Sequence, residues 1–340
     1  MNKSTILLLA LTGLSLAAGP SLAEAGPKKK TYTVRKQKLN KPQAKRHVGR
    51  ITAQESSHLM VRSAAALVLD QSTGTVLYEK NAGAVLPIAS ITKLMTAMVT
   101  LDEKPSLDEV LSISEEDVDT LKGTHSRLRV GTQLSREEML RLALMSSENR
   151  AASSLANHYP GGREAFVAAM NRKAQELSLQ DTRFSDPTGL TAANVSSARD
   201  LVKLVAAAHQ YPLIRAYTTA TEYEVKIAGR SQAFHNTNSL VKSSAWDIGL
   251  SKTGFINEAG KCLVMQVWLN NKPTIIVLLD SLGRMTRIAD ANRIKRWVEH
   301  AALAPIVGSG VLAPATSSGS PGLRPPIVGS GVLALRPTAG

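Results

Sequence analysis

The sequence has a single cysteine, Cys262, among its 340 residues. One thiol excludes an intramolecular disulfide and any metal cluster built from several cysteines. Cys262 lies in the apolar, strand-like run GKCLVMQVWL, which favours a buried structural thiol over a catalytic one. The seven histidines include no H-E-x-x-H pair, so no zinc site of that kind is indicated.

Long apolar runs are also scarce. The one near the start, Ile6–Leu16, follows Lys3 and precedes small-residue cleavage sites at 21–23 and 23–25. This pattern is typical of a secretory signal peptide over residues 1–25, and its apolar core is too short to span a membrane. The sequence has no cysteine near the cleavage site, so a lipoprotein anchor is not indicated. We therefore expect an exported protein that is soluble or only peripherally bound.

Acidic residues are missing from one whole segment. Residues 27–50 contain ten Lys and Arg and no Asp or Glu, so this stretch accounts for +10 of the formal net charge of +14. No nucleic-acid-binding motif is present, and we expect no nucleic-acid partner. The basic arm, which we place at 26–62, is either a solvated linker or a segment that binds an anionic envelope polymer or lipid surface.

Apolar patterning places strands near both ends of the remaining chain and helices between them. Two strands are predicted in SAAALVLDQSTGTVLYEKN and two more in KCLVMQVWLNNKPTIIVLLD. Helices are predicted in SREEMLRLALMSS, GREAFVAAMNRKAQELSL, SSARDLVKLVAAAHQ and RIADANRIKRWVEH. Ser135 with Glu138, and Ser197 with Asp200, have the spacing of a capping box at a helix start. This order predicts an α+β fold, with one antiparallel sheet built from both ends of the domain and a helical subdomain.

The end of the chain has a different composition. Residues 301–340 are rich in Gly, Pro, Ala and Ser, and they repeat PIVGSGVLA at 305–313 and 326–334. Two copies are too few for a solenoid, so we interpret this segment as a flexible tail. The folded domain is thus predicted at 63–300.

The stretch PIASITKLMTAMV places Ser90 three residues before Lys93. On a helix these positions share a face, so the amine can reach the hydroxyl. A serine needs a base to become a nucleophile, and burial can lower the pKa of a lysine enough to supply one. The spacing alone is weak evidence, because Ser239 and Lys242 repeat it, and the stretch could simply begin a buried helix.

Two further short motifs contain groups suited to the same chemistry. Ser147 and Asn149 could relay a proton and hold a substrate amide, but only if a turn makes them converge. They could equally cap the next helix. Downstream, Lys252 and Thr253 could hold a carboxylate, and the following Gly254 allows another backbone to approach closely. This run could also be an ordinary strand end.

Together the motifs Ser-x-x-Lys, Ser-x-Asn and Lys-Thr-Gly, in this order, are more specific than each is alone. The segments LPIASITKLMTAMVTLDE, RLALMSSENRAASSLANHYPGG, DPTGLTAANVSSARDL, HNTNSLV and LSKTGFINEAGKCLVM accompany them. The chain resembles the low-molecular-mass penicillin-binding proteins, a family of serine DD-peptidases, and among them the D-alanyl-D-alanine endopeptidases. The resemblance covers Ser63–His300 and implies the β-lactamase/DD-peptidase-like transpeptidase fold. It departs at Ile256, where relatives have a threonine.

The resemblance implies a role for each motif residue. Ser90 attacks the carbonyl of a D-alanine and forms an acyl-enzyme, while Lys93 takes its proton. Ser147 and Asn149 relay the proton to the leaving amine and position the substrate.

The Lys-Thr-Gly run is implied to bind the substrate. Lys252 and Thr253 contact its carboxylate, Lys252 also supports the proton relay, and Gly254 completes the motif. The backbone N–H groups of Ser90 and Phe255 form the oxyanion hole. No metal or cofactor is required.

The implied partners are peptidoglycan peptide crosslinks and β-lactam antibiotics, and the implied compartment is the periplasm. The leading hypothesis is a DD-endopeptidase that hydrolyses D-alanyl–diaminopimelate crossbridges. The alternatives are a DD-carboxypeptidase that removes terminal D-alanine and a non-catalytic murein-binding or β-lactam-sensing protein. A β-lactamase is disfavoured because the sequence has no Glu-x-x-Leu-Asn element. Carboxypeptidase relatives usually add a β-domain and a membrane-binding helix, whereas here only the tail follows His300.

Overall fold

The computed structural model describes residues 59–301 with the exception of residue 284. The predicted signal peptide at 1–25, all but the last few residues of the basic arm at 26–62, and the repeat tail beyond 301 lie outside the described residues. The predicted 63–300 domain falls within the described range, and its boundaries stay predictions.

A five-stranded antiparallel sheet joins the two ends of this range. Its strands are β1 (Ala65–Asp70), β2 (Thr75–Lys80), β9 (Ile248–Ile256), β10 (Gly260–Leu269) and β11 (Lys272–Ser281). They lie in the order β2-β1-β11-β10-β9, so that the first strand pairs with the last and β9 forms an edge. The predicted α+β class and the predicted sheet from both chain ends are therefore confirmed.

Both faces of this sheet are apolar because helices cover both. On β10, Val264 faces the larger core, while Leu263 and Met265 face a second, smaller core. Helix α7 (Thr286–Ala301) packs on the smaller side through Ala291 and Ile294. A sheet covered on both faces needs no polar alternation, which accounts for the continuous apolar runs of its strands.

The helical subdomain packs against the other face. It consists of α1 (Lys93–Asp102), α2 (Arg136–Met145), α3 (Asn149–Asn157), α4 (Gly162–Glu176), α5 (Ala198–Ala208) and α6 (Pro212–Thr219). The start of α2 has the predicted capping box, in which Ser135 and Glu138 bond each other's backbone N–H groups. Within residues 59–301, leaving out 284, every helix is too short or too polar to cross a membrane.

Three short strand pairs complete the fold. They are β3 (Leu86–Pro87) with β6 (Val195–Ser196), β4 (Val110–Ser112) with β5 (Gln133–Ser135), and β7 (Glu222–Ile227) with β8 (Arg230–His235). The first pair places the segment before Ser90 beside the loop that precedes α5. The polar, turn-rich segment EKPSLDEVLSISEEDV contributes β4 and a 3₁₀ turn at Glu115–Asp117.

Candidate active site

Ser90 lies in a 3₁₀ turn, Ala89–Thr92, that leads directly into α1. Ala89 adopts left-handed backbone with φ of 47°, and Ser90 itself is half-buried. The sequence predicted a regular helix over Ser90 and Lys93, whereas the helix begins only at Lys93. The tighter turn still places the two side chains together, with Lys93 Nζ 2.8 Å from Ser90 Oγ.

Two glycines allow other segments to reach the backbone of Ser90. A Cβ on Gly189 would lie 2.0 Å from Ala89 O and 2.9 Å from Ser90 N, and its φ is +82°. A Cβ on Gly254 would lie 2.8 Å from Ile88 O and 3.2 Å from Ser90 N. Only glycine fits either place, so the loop before α5 and strand β9 both press against the serine.

Lys93 is fully buried and occupies the centre of the site. Besides Ser90, its Nζ reaches Asn149 Oδ1 at 2.8 Å and the carbonyl oxygen of Thr188 at 2.6 Å. Burial lowers the pKa of Lys93 to about 7, against the opposing charges of Asp186 and Glu148. The amine is therefore part-neutral near pH 7 and can accept a proton from Ser90.

The loop that contributes Thr188 is held by one carboxylate. Asp186 accepts hydrogen bonds from the backbone N–H groups of Thr188, Gly189 and Thr191, and from the Thr188 hydroxyl. The side chain of Asn194 adds bonds to Ser185 N, Asp186 N and Thr92 Oγ1. These bonds fix the Thr188 carbonyl that orients Lys93.

Ser147 and Asn149 meet Lys252 and Lys93 through a turn between α2 and α3. Ser147 has left-handed backbone with φ of 62°, and Asn149 begins α3. This is the turn that the spacing required, since on one helix the two side chains would diverge. Ser147 Oγ lies 2.9 Å from Lys252 Nζ, while Asn149 Oδ1 contacts Lys93.

The amide of Asn149 is oriented from its other side. Its Nδ2 donates to Thr124 Oγ1 at 3.1 Å, and that hydroxyl donates to Asp119 Oδ2 at 2.7 Å. Because the hydroxyl proton is committed to Asp119, Thr124 must accept from the NH2 of Asn149. The carbonyl oxygen of that amide is thereby directed to Lys93. The sequence motifs gave no sign of Thr124 or Asp119.

Strand β9 forms the opposite wall of the cleft. Lys252 is buried to 1% exposure, and its pKa lies well below the ordinary value because of burial, with the charges of Lys93 and Arg287 acting in the same direction. Thr253 Oγ1 lies 2.6 Å from Thr237 Oγ1. Two hydroxyls thus meet at the strand position next to Lys252, where a substrate carboxylate is expected. No sequence motif assigned a role to Thr237, which lies within HNTNSLV.

The Gly254–Phe255 peptide is fixed by a cation. Arg287 Nη1 donates to the carbonyl oxygens of Gly254 at 3.0 Å and of Cys262 at 3.1 Å. Since the C=O and N–H of one peptide point in opposite directions, the Phe255 N–H faces the open edge of β9. This is the direction that an oxyanion donor needs. The ring of Phe255 points outward, 54% exposed, with Lys261 over its face.

Several other candidates lie away from the cleft or are inert. Ser239 and Lys242 are both exposed in a 3₁₀ turn. Ile256 is 6% exposed in the larger core, so its side chain does not line the cleft. Burial raises the pKa of Cys262 to about 11, which keeps it a protonated core thiol as predicted. Within 59–301, apart from 284, His, Cys, Asp and Glu form no group of three suited to a metal.

The sequence matches known proteins over most of its length. The family model for D-alanyl-D-alanine carboxypeptidase, peptidase S11, matches residues 51–283. A D-alanyl-D-alanine endopeptidase of Pseudomonas aeruginosa is 54% identical over 239 residues, which cover 70% of this chain and 77% of the relative. One of Escherichia coli is 48% identical over 256 residues, covering 75% and 83%.

Solved structures with a similar fold are also penicillin-binding or DD-transpeptidase proteins. The Streptomyces K15 DD-transpeptidase superposes with a TM-score of 0.66 at 28% identity, covering 70% of this chain and 97% of that one. Penicillin-binding protein D2 of Listeria monocytogenes, in its ampicillin-bound form, gives a TM-score of 0.62 at 27% identity, covering 71% and 98%. The transpeptidase fold predicted from the motifs is thus confirmed.

Proposed function

Because this chain belongs to the peptidase S11 family and is a serine-type D-alanyl-D-alanine endopeptidase, we propose that it cuts the D-alanyl–diaminopimelate crossbridges of peptidoglycan through an acyl-enzyme on Ser90. One observation carries the proposal. The fully buried amine of Lys93, with a pKa of about 7, lies 2.8 Å from the Ser90 hydroxyl. A hydroxyl paired with a part-neutral amine is an activated nucleophile.

In the first half of the proposed reaction, Ser90 Oγ attacks the D-alanyl carbonyl as its proton passes to Lys93 Nζ. The developing oxyanion is held by the N–H groups of Ser90 and Phe255, the latter polarised by Arg287 on its peptide carbonyl. The substrate carboxylate lies against Lys252, Thr253 and Thr237. In a crossbridge this carboxylate belongs to the diaminopimelate residue whose amine is released.

The leaving amine takes its proton by way of Ser147, whose hydroxyl is within hydrogen-bond distance of Lys252. Breaking of the C–N bond leaves the D-alanyl group on Ser90 Oγ. Water then attacks this ester and gives a proton to the amine of Lys93, which lies 2.8 Å from Ser90 Oγ. The C–O bond of the ester breaks, and the proton returns to Ser90 Oγ. Asn149, held between Lys93 and Thr124, positions the acyl chain.

Two experiments test this function. A fluorescent penicillin should label the wild-type protein but not Ser90→Ala, and Ser239→Ala, which alters the exposed copy of the spacing, should label normally. Undiminished labelling of Ser90→Ala would refute the assignment.

In the second experiment, purified protein receives a crosslinked muropeptide dimer and a monomeric pentapeptide in parallel. Cleavage of the dimer supports the endopeptidase, whereas release of D-alanine without dimer cleavage would show a carboxypeptidase.

The site of action is proposed to be the periplasm, on the evidence of the signal-peptide pattern at 1–25. Residues 27–50 of the basic arm are proposed to hold the enzyme near an anionic envelope surface, since this stretch has ten cations and no acidic residue. Deleting residues 27–50 should weaken co-sedimentation with cell walls or anionic vesicles at low salt. Unchanged co-sedimentation would show that the arm is a solvated linker and does not bind these surfaces.

A further inference from the structure

An ion pair bridges the two walls of the cleft at one end. Lys122 belongs to the loop between Asp119 and Thr124 on the helical side, and Glu258 belongs to the turn between β9 and β10. Lys122 Nζ lies 2.5 Å from Glu258 Oε1, and the side chains are 29% and 43% exposed. The bridge therefore stands at the mouth of the cleft, where solvent and a ligand can both reach it.

The direction of β9 places this bridge relative to the substrate. Lys252 and Thr253 mark the carboxylate end, and Gly254 lies beside Ser90 N. The strand continues two residues past Gly254 to Ile256, about 7 Å at ~3.3 Å per residue, and then turns into Glu258. With the carboxylate at Lys252 and the reacting carbonyl at Ser90, the acyl-donor chain runs on toward the bridge. The residue just before the reacting D-alanine therefore comes closest to it.

Three acidic side chains beside the cleft are already occupied by hydrogen bonds. Asp119 accepts from three backbone N–H groups of its own loop and from Thr124 Oγ1. Asp186 is similarly saturated, and Glu148 accepts from Ser126 beside Arg127. Among the described residues, the Glu258 side chain is bonded only by Lys122 and its own backbone N–H. Lys122 and Glu258 are thus a pair of opposite, partly exposed charges at this end that a ligand can engage.

We propose that Lys122 and Glu258 form a recognition site for a zwitterionic side chain on the acyl-donor peptide. When the donor binds, the bridge opens, the ligand's carboxylate pairs with Lys122, and its ammonium pairs with Glu258. This inference rests on the proposed function, because diaminopimelate in an uncrosslinked donor position ends in both groups. An exposed ion pair contributes little by itself, so exchanging it for two pairs with one ligand costs the protein little.

The test uses the full chain and penicillins that differ only in their side chains. One has a side chain ending in an amino acid, with free ammonium and carboxylate, a second is its N-acetyl derivative, and a third is its carboxamide. The second-order rate constant for acylation is measured for each, with benzylpenicillin as reference. Wild-type protein should react about fivefold faster with the zwitterionic compound than with either derivative, the scale of a partly exposed charge pair.

Substituting either residue of the ion pair should remove one part of this rate preference and leave the other part. Glu258→Gln should lose the preference for the free amine over its N-acetyl form and keep the preference for the free carboxylate. Lys122→Gln should do the reverse. Lys295→Gln, which removes a surface ion pair with Glu299 on α7, should change none of the ratios.

Other results would overturn the inference. A wild-type protein without preference, or variants that change all four rates in parallel, would show that the bridge only closes the cleft. Failure of benzylpenicillin to acylate Ser90 at all would instead refute the proposed function, so the two failures are distinguishable.

Discussion

Lys252 Nζ and Ser147 Oγ lie 2.9 Å apart although 105 positions separate them in the chain. The contact joins the edge strand of the sheet to the turn between α2 and α3. It gives a buried amine a polar partner and gives Ser147 a neighbour that can stabilise a transferring proton. The helical side and the sheet side of the cleft are thus coupled through the group proposed to protonate the leaving amine.

Replacing Ser147 should therefore slow the reaction strongly. We expect Ser147→Ala to reduce acylation by penicillin about 10²-fold or more, the usual contribution of a positioned proton-transfer group. Among the described residues, the hydroxyl of the neighbouring Ser146 has a hydrogen bond only to Leu142 O, at 3.4 Å. Ser146→Ala is therefore a matched control and should react within about twofold of wild type. Equal effects of the two substitutions in stopped-flow acylation would contradict the relay.

Acylation should depend on pH through Lys93. With a pKa of about 7, its amine is mostly protonated at pH 6 and mostly free at pH 8. The acylation rate constant should rise about tenfold between these values and level off above them. A profile that is flat from pH 5 to 9 would show that Lys93 is not the base.

The same pKa has a consequence for stability with a definite sign. The unfolded chain binds a proton on Lys93 up to about pH 10.5, whereas the folded chain releases it at about 7. Between these values the unfolded state holds more protons, so the free energy of unfolding rises with pH. Denaturant titrations at pH 7, 8 and 9 give the free energy of unfolding at each pH. This free energy should rise less steeply with pH in Lys93→Met than in wild type. An identical slope would contradict the lowered pKa.

The close approach at Gly189 predicts a severe effect of one methyl group. Gly189→Ala combines a left-handed backbone with a Cβ only 2.0 Å from Ala89 O, so the 3₁₀ turn that contains Ser90 must move. We expect acylation to fall at least ~10²-fold and the free energy of unfolding to fall by more than ~2 kcal/mol.

Gly229→Ala is the control for backbone strain alone. Its φ is +76° but nothing lies within 4 Å of the added Cβ, so it should cost only ~1–2 kcal/mol and leave acylation intact. Similar kinetics for both alanine variants would show that the Gly189 contact does not position Ser90.

Arg287 should act on the reaction without touching the nucleophile. Arg287→Met removes the donor to Gly254 O, and we expect acylation to slow about 10-fold to 100-fold as the Phe255 N–H loses its fixed position. Arg296→Met, an exposed change on the same helix, should have no effect. Thermal unfolding of both variants separates loss of the site from loss of the fold. Normal acylation by Arg287→Met would remove this residue from the oxyanion site.

The sheet and the helices could be predicted because their signals are local. The turn at Asn270 and Asn271 has positive φ at both residues, as its sequence suggests, and the Ser135–Glu138 capping box begins a helix as expected. The second box, at Ser197 and Asp200, was only half right. Ser197 accepts from Asp200 N, but the Asp200 carboxylate bonds Asp181 and Thr182 instead. Tertiary contacts offered that carboxylate better partners than the box did.

The parts of the site that sequence could not reveal depend on distant packing. Thr237 follows the β7–β8 hairpin, and only the pairing of β9 brings it to Thr253. Arg287 reaches β9 from α7, and Thr188 contributes a carbonyl oxygen, which no side-chain pattern can show. The alternating Tyr223, Val225 and Ile227 before Ala228-Gly229 could have predicted the hairpin, since that alternation is the usual signal of a strand.

The pairing of β1 with β11 has a consequence in time. Ala65 pairs with Leu279, so the sheet that supports β9 cannot close until almost the whole domain has been synthesised and brought together. Contacts so distant in sequence form slowly, and a chain that stops before β11 lacks the strand that joins β1 to β10 and β9, the strand of Lys252. Catalytic competence is therefore among the last properties this chain acquires as it folds, and a partly folded molecule is unable to cleave its substrate.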